Sequence, residues 1–201
     1  MIMTGKFHII LIILIMSTCV AFQGILDKPI GDLDEDKFDL DSCDLAIQLE
    51  EFRDCVLHAD TGVLMKYISF PRKEKSVWQL VNLFSQGAPV REKSTFMDED
   101  FIAYFNDVFN DDLRKGLEDT SLSMLLTNGE YLTESYEGIS DDDMERYSYK
   151  LISRFDKATD EVIFILLYEF VDTGVKYETS VSYYLQFVNC DLKLKKVLVI
   201  G

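Results

Sequence analysis

The chain has 201 residues, of which 48% are apolar, and its 36 acidic and 20 basic residues give a net charge of −16. That length and apolar content predict one sizeable core with at most a small appendage. The negative charge argues against binding to nucleic-acid backbones and to anionic lipid surfaces. It favours a protein partner with a basic surface, whereas plain solubility explains the charge equally well.

The first residues have the pattern of an export signal. Lys6 provides the basic start, Ile9–Met16 the apolar centre and Cys19-Val20-Ala21 the small residues of a cleavage site, so we expect a signal peptide at residues 1–21. The apolar centre is shorter than the roughly 20 residues that span a membrane. We therefore expect a periplasmic or secreted protein without a transmembrane segment after cleavage. The alternative is a lipoprotein acylated on Cys19, although Thr18 is a poor fit just before such a cysteine.

The next residues lead into the first predicted helices. Residues 22–41 are acidic and lack helical or strand periodicity, which predicts a flexible arm before a single domain at 42–201. Apolar residues at helical spacing predict a helix over Ser42–Ala59, capped by Asp41 or Ser42. A short helical turn over Thr61–Ile68 follows, and Pro71 ends it.

Two further helices are predicted in the middle of the chain. The segment 72–96 suits a helix between Ser76 and Gly87, although alternation around Trp78 also suits a strand; we predict the helix. Asp98–Leu117 carries a broad apolar stripe, with acids at its start and bases near its end, as the helix dipole favours. This helix is expected to break or kink at Asn110-Asp111-Asp112.

The C-terminal half has the pattern of successive strands. Asn128-Gly129 is a strong hairpin signal, so we predict a turn there between strands Leu122–Leu126 and Glu130–Tyr136. An acidic loop over Gly138–Glu145 comes next. Four further strands are predicted, the second of them apolar on both faces and therefore central in the sheet: Tyr147–Phe155, Glu161–Val171, Lys176–Val188 and Leu192–Ile200.

The order of elements predicts an α+β fold, in which N-terminal helices pack on a curved antiparallel sheet of about four to six strands. Leu49-Glu50-Glu51-Phe52, leading to Tyr67-Ile68-Ser69-Phe70-Pro71, resembles small exported bacterial domains of the cystatin-like cone superfamily shared with nuclear transport factor two. The resemblance covers residues 42–200, and the long segment 72–96 departs from it. It implies a cone-shaped cavity, which some members use for enzymology on small molecules and many use only for binding.

The residues that commonly perform catalysis or bind metals are scarce. His58 is the single histidine expected in the mature chain. It lies three residues after Cys55, and a chance spacing explains this better than a catalytic pair does. The acidic residues of Asp32–Asp36 resemble the first residues of a calcium-binding loop. Lys37, however, occupies the position at which that loop requires Gly. We therefore predict neither catalytic residues nor a cofactor or metal site.

Three cysteines remain after signal cleavage. Cys43 and Cys55 would lie about 18 Å apart on one helix, which is too far to bridge. A disulfide would therefore join Cys190 to one of them, and three buried free thiols are an equal alternative.

Several residues are candidates for contact with a protein partner. Tyr184 lies out of phase with the apolar face of its strand, beside Glu178 and Gln186, so an exposed tyrosine among polar residues is predicted there. Trp78 is a second candidate anchor, for which the alternative is a core-closing residue. The loop acids Asp141, Asp142 and Asp143 complete the set.

Two functional hypotheses follow. The first is a non-enzymatic exported binding protein, such as an inhibitor or an immunity protein, that uses its acidic surface against a basic protein partner. The alternative is a cone-fold small-molecule binding protein or enzyme with a cavity between the first helix and the sheet. His58 and Tyr104 are the candidate polar groups for that cavity.

Overall fold

The computed structural model describes residues 44–73, 75–84, 90, 93–139, 146–172 and 175–201. Seven α-helices lie in this part of the chain: α1 (Leu45–Leu57), α2 (Thr61–Leu64), α3 (Lys75–Phe84), α4 (Asp98–Ala103), α5 (Phe105–Val108), α6 (Asp111–Glu118) and α7 (Leu122–Asn128). A 3-10 turn, Met65–Tyr67, follows α2 directly. The predicted export signal and the predicted acidic arm lie outside the described residues.

The strands follow the helices and form one antiparallel sheet. They are β1 (Glu130–Leu132), β2 (Tyr136–Ile139), β3 (Arg146–Asp156), β4 (Glu161–Asp172), β5 (Val175–Val188) and β6 (Asp191–Ile200). The order is β1-β3-β4-β5-β6, and β2 also pairs with β3. The predicted α+β fold is therefore confirmed, and the apolar strand β4 is central, as expected.

Alternation along the strands gives the sheet two different faces. On the inner face, Leu151 of β3 lies beside Leu166 of β4 and Val181 of β5, and all three are fully buried under the helices. The outer face carries the residues between them, such as Ile152 and Ile165, which are half-buried and do not belong to the core. All the described helices that contribute to the core therefore do so on the inner face.

Aromatic rings fill the space between the first helix and the sheet. The ring of Phe109 stacks on Tyr183 of β5 with a centroid distance of 5.8 Å. On its other sides it meets Phe52 of α1 at 6.1 Å and Phe101 of α4 at 6.0 Å. Edge-to-face and offset contacts of this kind add to the stabilisation that burial of the rings provides. The space between α1 and β5 is therefore packed with side chains at this level.

The free edge of β6 is covered by the chain that leads into α3. Ile68 makes a parallel bridge to Leu194, and Arg72, which is only 6% exposed, donates hydrogen bonds to two β6 carbonyls. Its Nη1 lies 2.8 Å from the Leu194 oxygen and its Nη2 lies 2.6 Å from the Lys195 oxygen. The carbonyls of an edge strand otherwise invite pairing with another chain, so these bonds protect the edge.

Two predicted helix features differ from the structure. The first helix is capped by Asp44, whose Oδ1 accepts the Ala46 N–H at 2.8 Å, rather than by Asp41 or Ser42. The predicted helix Asp98–Leu117 is three helices, with breaks at Tyr104 and at Phe109-Asn110. The second break lies at the first residue of Asn110-Asp111-Asp112, where the helix was expected to break, because the Asn110 side chain caps the start of α6.

The predicted hairpin at Asn128-Gly129 is wrong. Leu122–Asn128 is helix α7, and Gly129 ends it with φ at +82° while its N–H bonds to the Leu125 carbonyl at 2.8 Å. A left-handed glycine serves a helix C-terminus as well as it serves a hairpin turn, so the dipeptide alone does not distinguish them. The short strand β1 then begins at Glu130.

Candidate functional site

Uncompensated negative charge is concentrated on α4, α5 and α6. We call Asp98–Asp119 the acidic segment; it carries eight carboxylates and only two bases, Arg114 and Lys115. Some of these carboxylates have basic partners: Lys115 lies 3.1 Å from Glu118 and 3.3 Å from Asp119. Other acids of the segment have none among the described residues, and Asp107 and Asp112 are two of these.

A surface cavity of about 660 Å³ opens in the middle of this segment. We call it the acidic pocket. Its polar lining is Asn106, Asp107, Asn110, Asp111, Asp112 and Arg114, and its aromatic lining is Phe84 and Tyr147. Concave sites with a few converging polar groups and apolar walls are the usual form of a binding site.

Asn110 holds the pocket in place against the sheet. Its Oδ1 accepts the Leu113 N–H at 2.9 Å, which starts α6, and its Nδ2 donates to the Tyr168 hydroxyl of β4 at 2.9 Å. Asn110 and Tyr168 are both buried. The first turn of α6, with Asp111 and Asp112, is therefore fixed relative to β4, and the helix N-terminus favours negative charge there.

Asp112 lies partly inside the protein among tyrosine hydroxyls. Burial raises the pKa of the Asp112 carboxyl, while hydrogen bonds from Tyr147, Tyr168 and Tyr149 oppose that rise in part. The Tyr147 hydroxyl donates to Asp112 Oδ2 at 3.1 Å. Burial and the nearby carboxylate also raise the pKa of the phenols of Tyr149 and Tyr168, so both remain neutral donors.

Asp107 is the second carboxyl of the pocket with a perturbed pKa. Burial raises its pKa, and no hydrogen-bond or ion-pair partner for it occurs in the described part of the chain. Arg114, which also lines the pocket, pairs with Asp111 at 3.0 Å and donates to the Asn106 side chain at 3.0 Å. Among the residues that the structure describes, Asp107 and Asp112 therefore have no ion-pair partner, although both line the pocket. Perturbed acids in a cleft mark a candidate site.

The substitution Asp112→Asn is expected to stabilise the protein at neutral pH. A carboxyl whose folded pKa is raised binds its proton more tightly in the folded state, so folding stability falls as pH rises from its ordinary value of 3.8 through the raised folded pKa. Asparagine lacks that penalty, and we expect a gain on the order of 1 kcal/mol at pH 7 that vanishes near pH 3. Urea unfolding across this pH range measures the difference.

The exposed Asp191→Asn provides the control for that measurement, because it changes the net charge equally without touching the pocket. It is expected to leave the pH dependence unchanged. A loss of stability at pH 7 in Asp112→Asn would mean that the fold favours the charged form of Asp112, so that burial would not be the dominant influence on its pKa.

Trp78 is not a surface anchor. It is 2% exposed, and its ring meets Phe96 at 4.8 Å and Tyr104 at 5.9 Å, so it closes the core beneath α3. The structure therefore supports the alternative that Trp78 closes the core, because α3 directs this side chain inward with Val77 and Val81.

The other partner candidates lie on the outer face of the sheet. Tyr184 is half-buried, and the Lys196 ammonium stands 4.0 Å from the centre of its ring. Glu178 is exposed and lies 3.5 Å from Lys176, and Gln186 follows on the same face. Asp141, Asp142 and Asp143 lie outside the described residues. The structure thus places Glu178, Tyr184 and Gln186 on one face, remote along the chain from the acidic pocket.

The cysteine and histidine candidates do not form a reactive site. Cys190 is disulfide-bonded, whereas Cys55 is free and buried, and burial raises the pKa of its thiol. A raised pKa keeps a thiol protonated and poorly nucleophilic. His58 is exposed with its Nδ1 2.8 Å from the Asp54 carbonyl, and Tyr104 packs on Trp78, so the structure does not bring His58 and Tyr104 into a common pocket.

Neither a metal cluster nor a membrane-spanning helix occurs in the described part of the chain. Within those ranges, no group of three or more His, Cys, Asp or Glu side chains is arranged to hold a metal ion. Of the helices that the structure describes, none is long and apolar enough to cross a membrane.

Fold and site together define an α+β domain that presents an acidic, aromatic-walled pocket on the helical side of its sheet. The chain matches no family model, and neither a curated protein nor a solved structure matches it. Its function must therefore be inferred from the geometry and chemistry of the residues themselves.

Proposed function

We propose that the chain is a non-enzymatic binding domain whose acidic segment receives a cationic side chain of a basic protein partner. The observation that carries this proposal is the presence of Asp107 and Asp112 in one pocket, both with raised pKa values and neither with a cation among the described residues. An exported inhibitor or immunity protein is the role that fits such a surface.

The pocket has the chemistry that a lysine or arginine head group needs. Two carboxylates supply charge-assisted hydrogen bonds, which are roughly twice as strong as neutral ones. The rings of Phe84 and Tyr147 supply walls over which a cation is attracted by the π-system. A bound cation also restores the ionised form that burial disfavours, so each carboxyl gains more from the cation than an exposed acid would.

The charge around the pocket assists the encounter. The remaining carboxylates of the acidic segment give the region a negative field, which attracts a basic partner and speeds association. Because exposed charges are screened by salt, this contribution weakens as ionic strength rises. Cation binding to Asp107 and Asp112 should be less sensitive because those groups are partly buried.

The packing of the interior favours a surface site over a cavity between α1 and the sheet. Phe52, Phe109 and Tyr183 occupy that space, where a small molecule would have to bind. The acidic pocket opens instead at the surface, where residues of α5 and α6 lie beside Tyr147 of β3.

A charge-matched comparison tests the proposal. Hexalysine amide is titrated by calorimetry into the wild type, into Asp107→Asn/Asp112→Asn and into Glu50→Gln/Asp54→Asn, two exposed acids of α1. Each double variant removes two negative charges, so the net charge of the two variants is equal. We expect the pocket variant to lose affinity by about tenfold, which corresponds to about 1.4 kcal/mol, and the α1 variant to lose less than about twofold.

Equal losses in the two double variants would contradict the proposal, because they would show that only the overall charge attracts the peptide. A second readout is the pH dependence. Binding requires the ionised carboxylates, so wild-type affinity is expected to fall as pH is lowered through their raised pKa values, and the pocket variant should lack this dependence.

A further inference from the structure

The outer face of the sheet is an apolar surface that the core does not use. Its centre consists of two neighbouring rows of residues that the strand register sets side by side. One row runs Ile152, Ile165, Ser182 and Leu198, and the next runs Lys150, Leu167, Ser180 and Ile200. Leu132 of β1 extends the first row and is 55% exposed, and Ile200 is 60% exposed.

None of these apolar residues belongs to the core cluster or to the side chains that pack against it. Ile152, Ile165, Leu167 and Leu198 are only half-buried. Contiguous apolar surface of this kind on a soluble protein commonly marks an interaction site.

Charged residues flank the apolar rows in a particular order. On one side, the adjacent row contains Arg154 and Lys196, with Ile163 and Tyr184 between them and Glu130 of β1 at its end beside Arg154. On the other side, the adjacent row contains Glu169 and Glu178. The outer face is therefore basic along one flank and acidic along the opposite flank.

We propose that this face binds the same face of a second copy of the chain. The two copies are related by a two-fold axis that lies between their sheets. The axis runs across the strands, midway between the two central rows, so the strands of the second copy run in the reverse direction. The two central rows then meet each other, so that Ile165 of one copy lies opposite Leu167 of the other and Ile152 lies opposite Lys150. The Arg154–Lys196 flank of each copy meets the Glu169–Glu178 flank of the other, so the face is complementary to itself, as a two-fold interface requires.

The outermost rows of the outer face are also complementary in charge under this rotation. Beyond the basic flank lie Asp156 and Glu161 with Lys193, and beyond the acidic flank lie Arg146 and Lys176. The same rotation brings these rows of opposite sign together. Existing contacts within one copy, such as Lys176 with Glu178 at 3.5 Å and Arg154 with Glu130 at 3.2 Å, are exposed and therefore cost little to rearrange.

The large negative charge of the chain does not oppose this arrangement. The acidic pocket and the acidic segment lie on the helical side, whereas acids and bases on the outer face nearly balance. The face is also large enough. The four strands β3–β6, each of ten or more residues and spaced about 4.8 Å apart, have a flat area of roughly 600 Å². A standard interface buries about 800 Å² of accessible surface per partner, and side chains raise the accessible area above the flat area.

Sedimentation equilibrium of the purified protein, with charge-swap variants, tests the proposal. We expect a wild-type dimer at micromolar concentration and a dissociation constant raised at least about 30-fold in Glu178→Lys, because like charges then meet across the interface. The double variant Glu178→Lys/Lys196→Glu exchanges the two flanks and should recover affinity to within about threefold of the wild type. Both residues are exposed, so these variants should fold.

A second pair of variants tests the apolar centre. Ile165→Lys should abolish the dimer, whereas Ile102→Lys, at a 55% exposed position of α4, should leave it intact. A wild type that stays monomeric to millimolar concentration would overturn the proposal. So would a charge-swap double variant no tighter than the single one, or a dimer that Ile102→Lys disrupts as strongly as Ile165→Lys. None of these outcomes bears on the acidic pocket, which is measured separately with hexalysine.

Discussion

Replacing Arg72 with alanine is expected to lower the free energy of unfolding by about 3 kcal/mol. Arg72 is buried, and its guanidinium donates to the carbonyls of Leu194 and Lys195 at 2.8 and 2.6 Å. Alanine leaves those edge carbonyls without these donors and opens a cavity beside β6. In a chain of this size, such a loss corresponds to a fall in Tm of roughly 6–12 °C.

The neighbouring Lys73→Ala is the control for Arg72, because Lys73 is exposed and the substitution removes the same charge. It is expected to change the unfolding free energy by less than about 0.5 kcal/mol. Arg72→Lys should rescue little, since one ammonium cannot reproduce the planar fork that reaches two carbonyls. Equal stability of Arg72→Ala and Lys73→Ala in urea unfolding would contradict the role of Arg72 in holding the β6 edge.

Gly116→Ala is expected to destabilise the protein by about 1–3 kcal/mol, opposite in sign to the usual effect of this change within a helix. Gly116 is buried in α6, where the helix approaches β3. A Cβ at this position would lie 2.7 Å from Leu151 Cβ and 3.1 Å from its Cδ2. Leu151 is fully buried in the sheet, so it cannot move aside without disturbing its neighbours.

Gly62→Ala is the matched control, because it is an exposed helical glycine in α2 and its added Cβ has its nearest neighbour at 3.6 Å. It should be neutral or stabilising by up to about 1 kcal/mol. Thermal and urea unfolding of the two variants give the comparison. If Gly116→Ala proved as stable as Gly62→Ala, α6 would not pack on β3 as closely as described.

The sheet was predictable from the sequence because its signals are local and agree with one another. Alternation along Tyr177–Val188 and the unbroken apolar run Val162–Tyr168 predict neighbouring strands, and Glu161–Asp172 and Val175–Val188 pair over their length. What the sequence did not reveal is that the second apolar side of β4 has no described helix against it. An apolar residue that faces a core and one that faces an interface give the same pattern.

The acidic pocket was missed for a different reason. Asn110-Asp111-Asp112 suggested a helix break, and the capping role of Asn110 could have been predicted from the sequence. The pocket, however, also needs Tyr147 and the buried Tyr168, which follow Asp112 by 35 or more positions and reach it only through the register of β3 and β4. Long-range register of this kind has no local sequence signal.

The placement of Trp78 shows a similar limit. Its helix was predicted, but the choice between an exposed anchor and a core residue depends on which side of α3 meets the rest of the protein. The rings of Phe96 and Tyr104, contributed by later segments, settle that choice in favour of the core.

A cationic group is proposed to bind at the acidic pocket rather than over the acidic surface as a whole. Amide chemical-shift mapping of the ¹⁵N-labelled protein during titration with hexalysine amide tests this most directly. We expect the largest shifts at Ala103–Asp112 and at Tyr147, with weaker shifts elsewhere, and their loss in Asp107→Asn/Asp112→Asn. Shifts spread evenly over exposed acids such as Glu50, Asp54 and Glu178, and unchanged in the double variant, would contradict binding at the pocket.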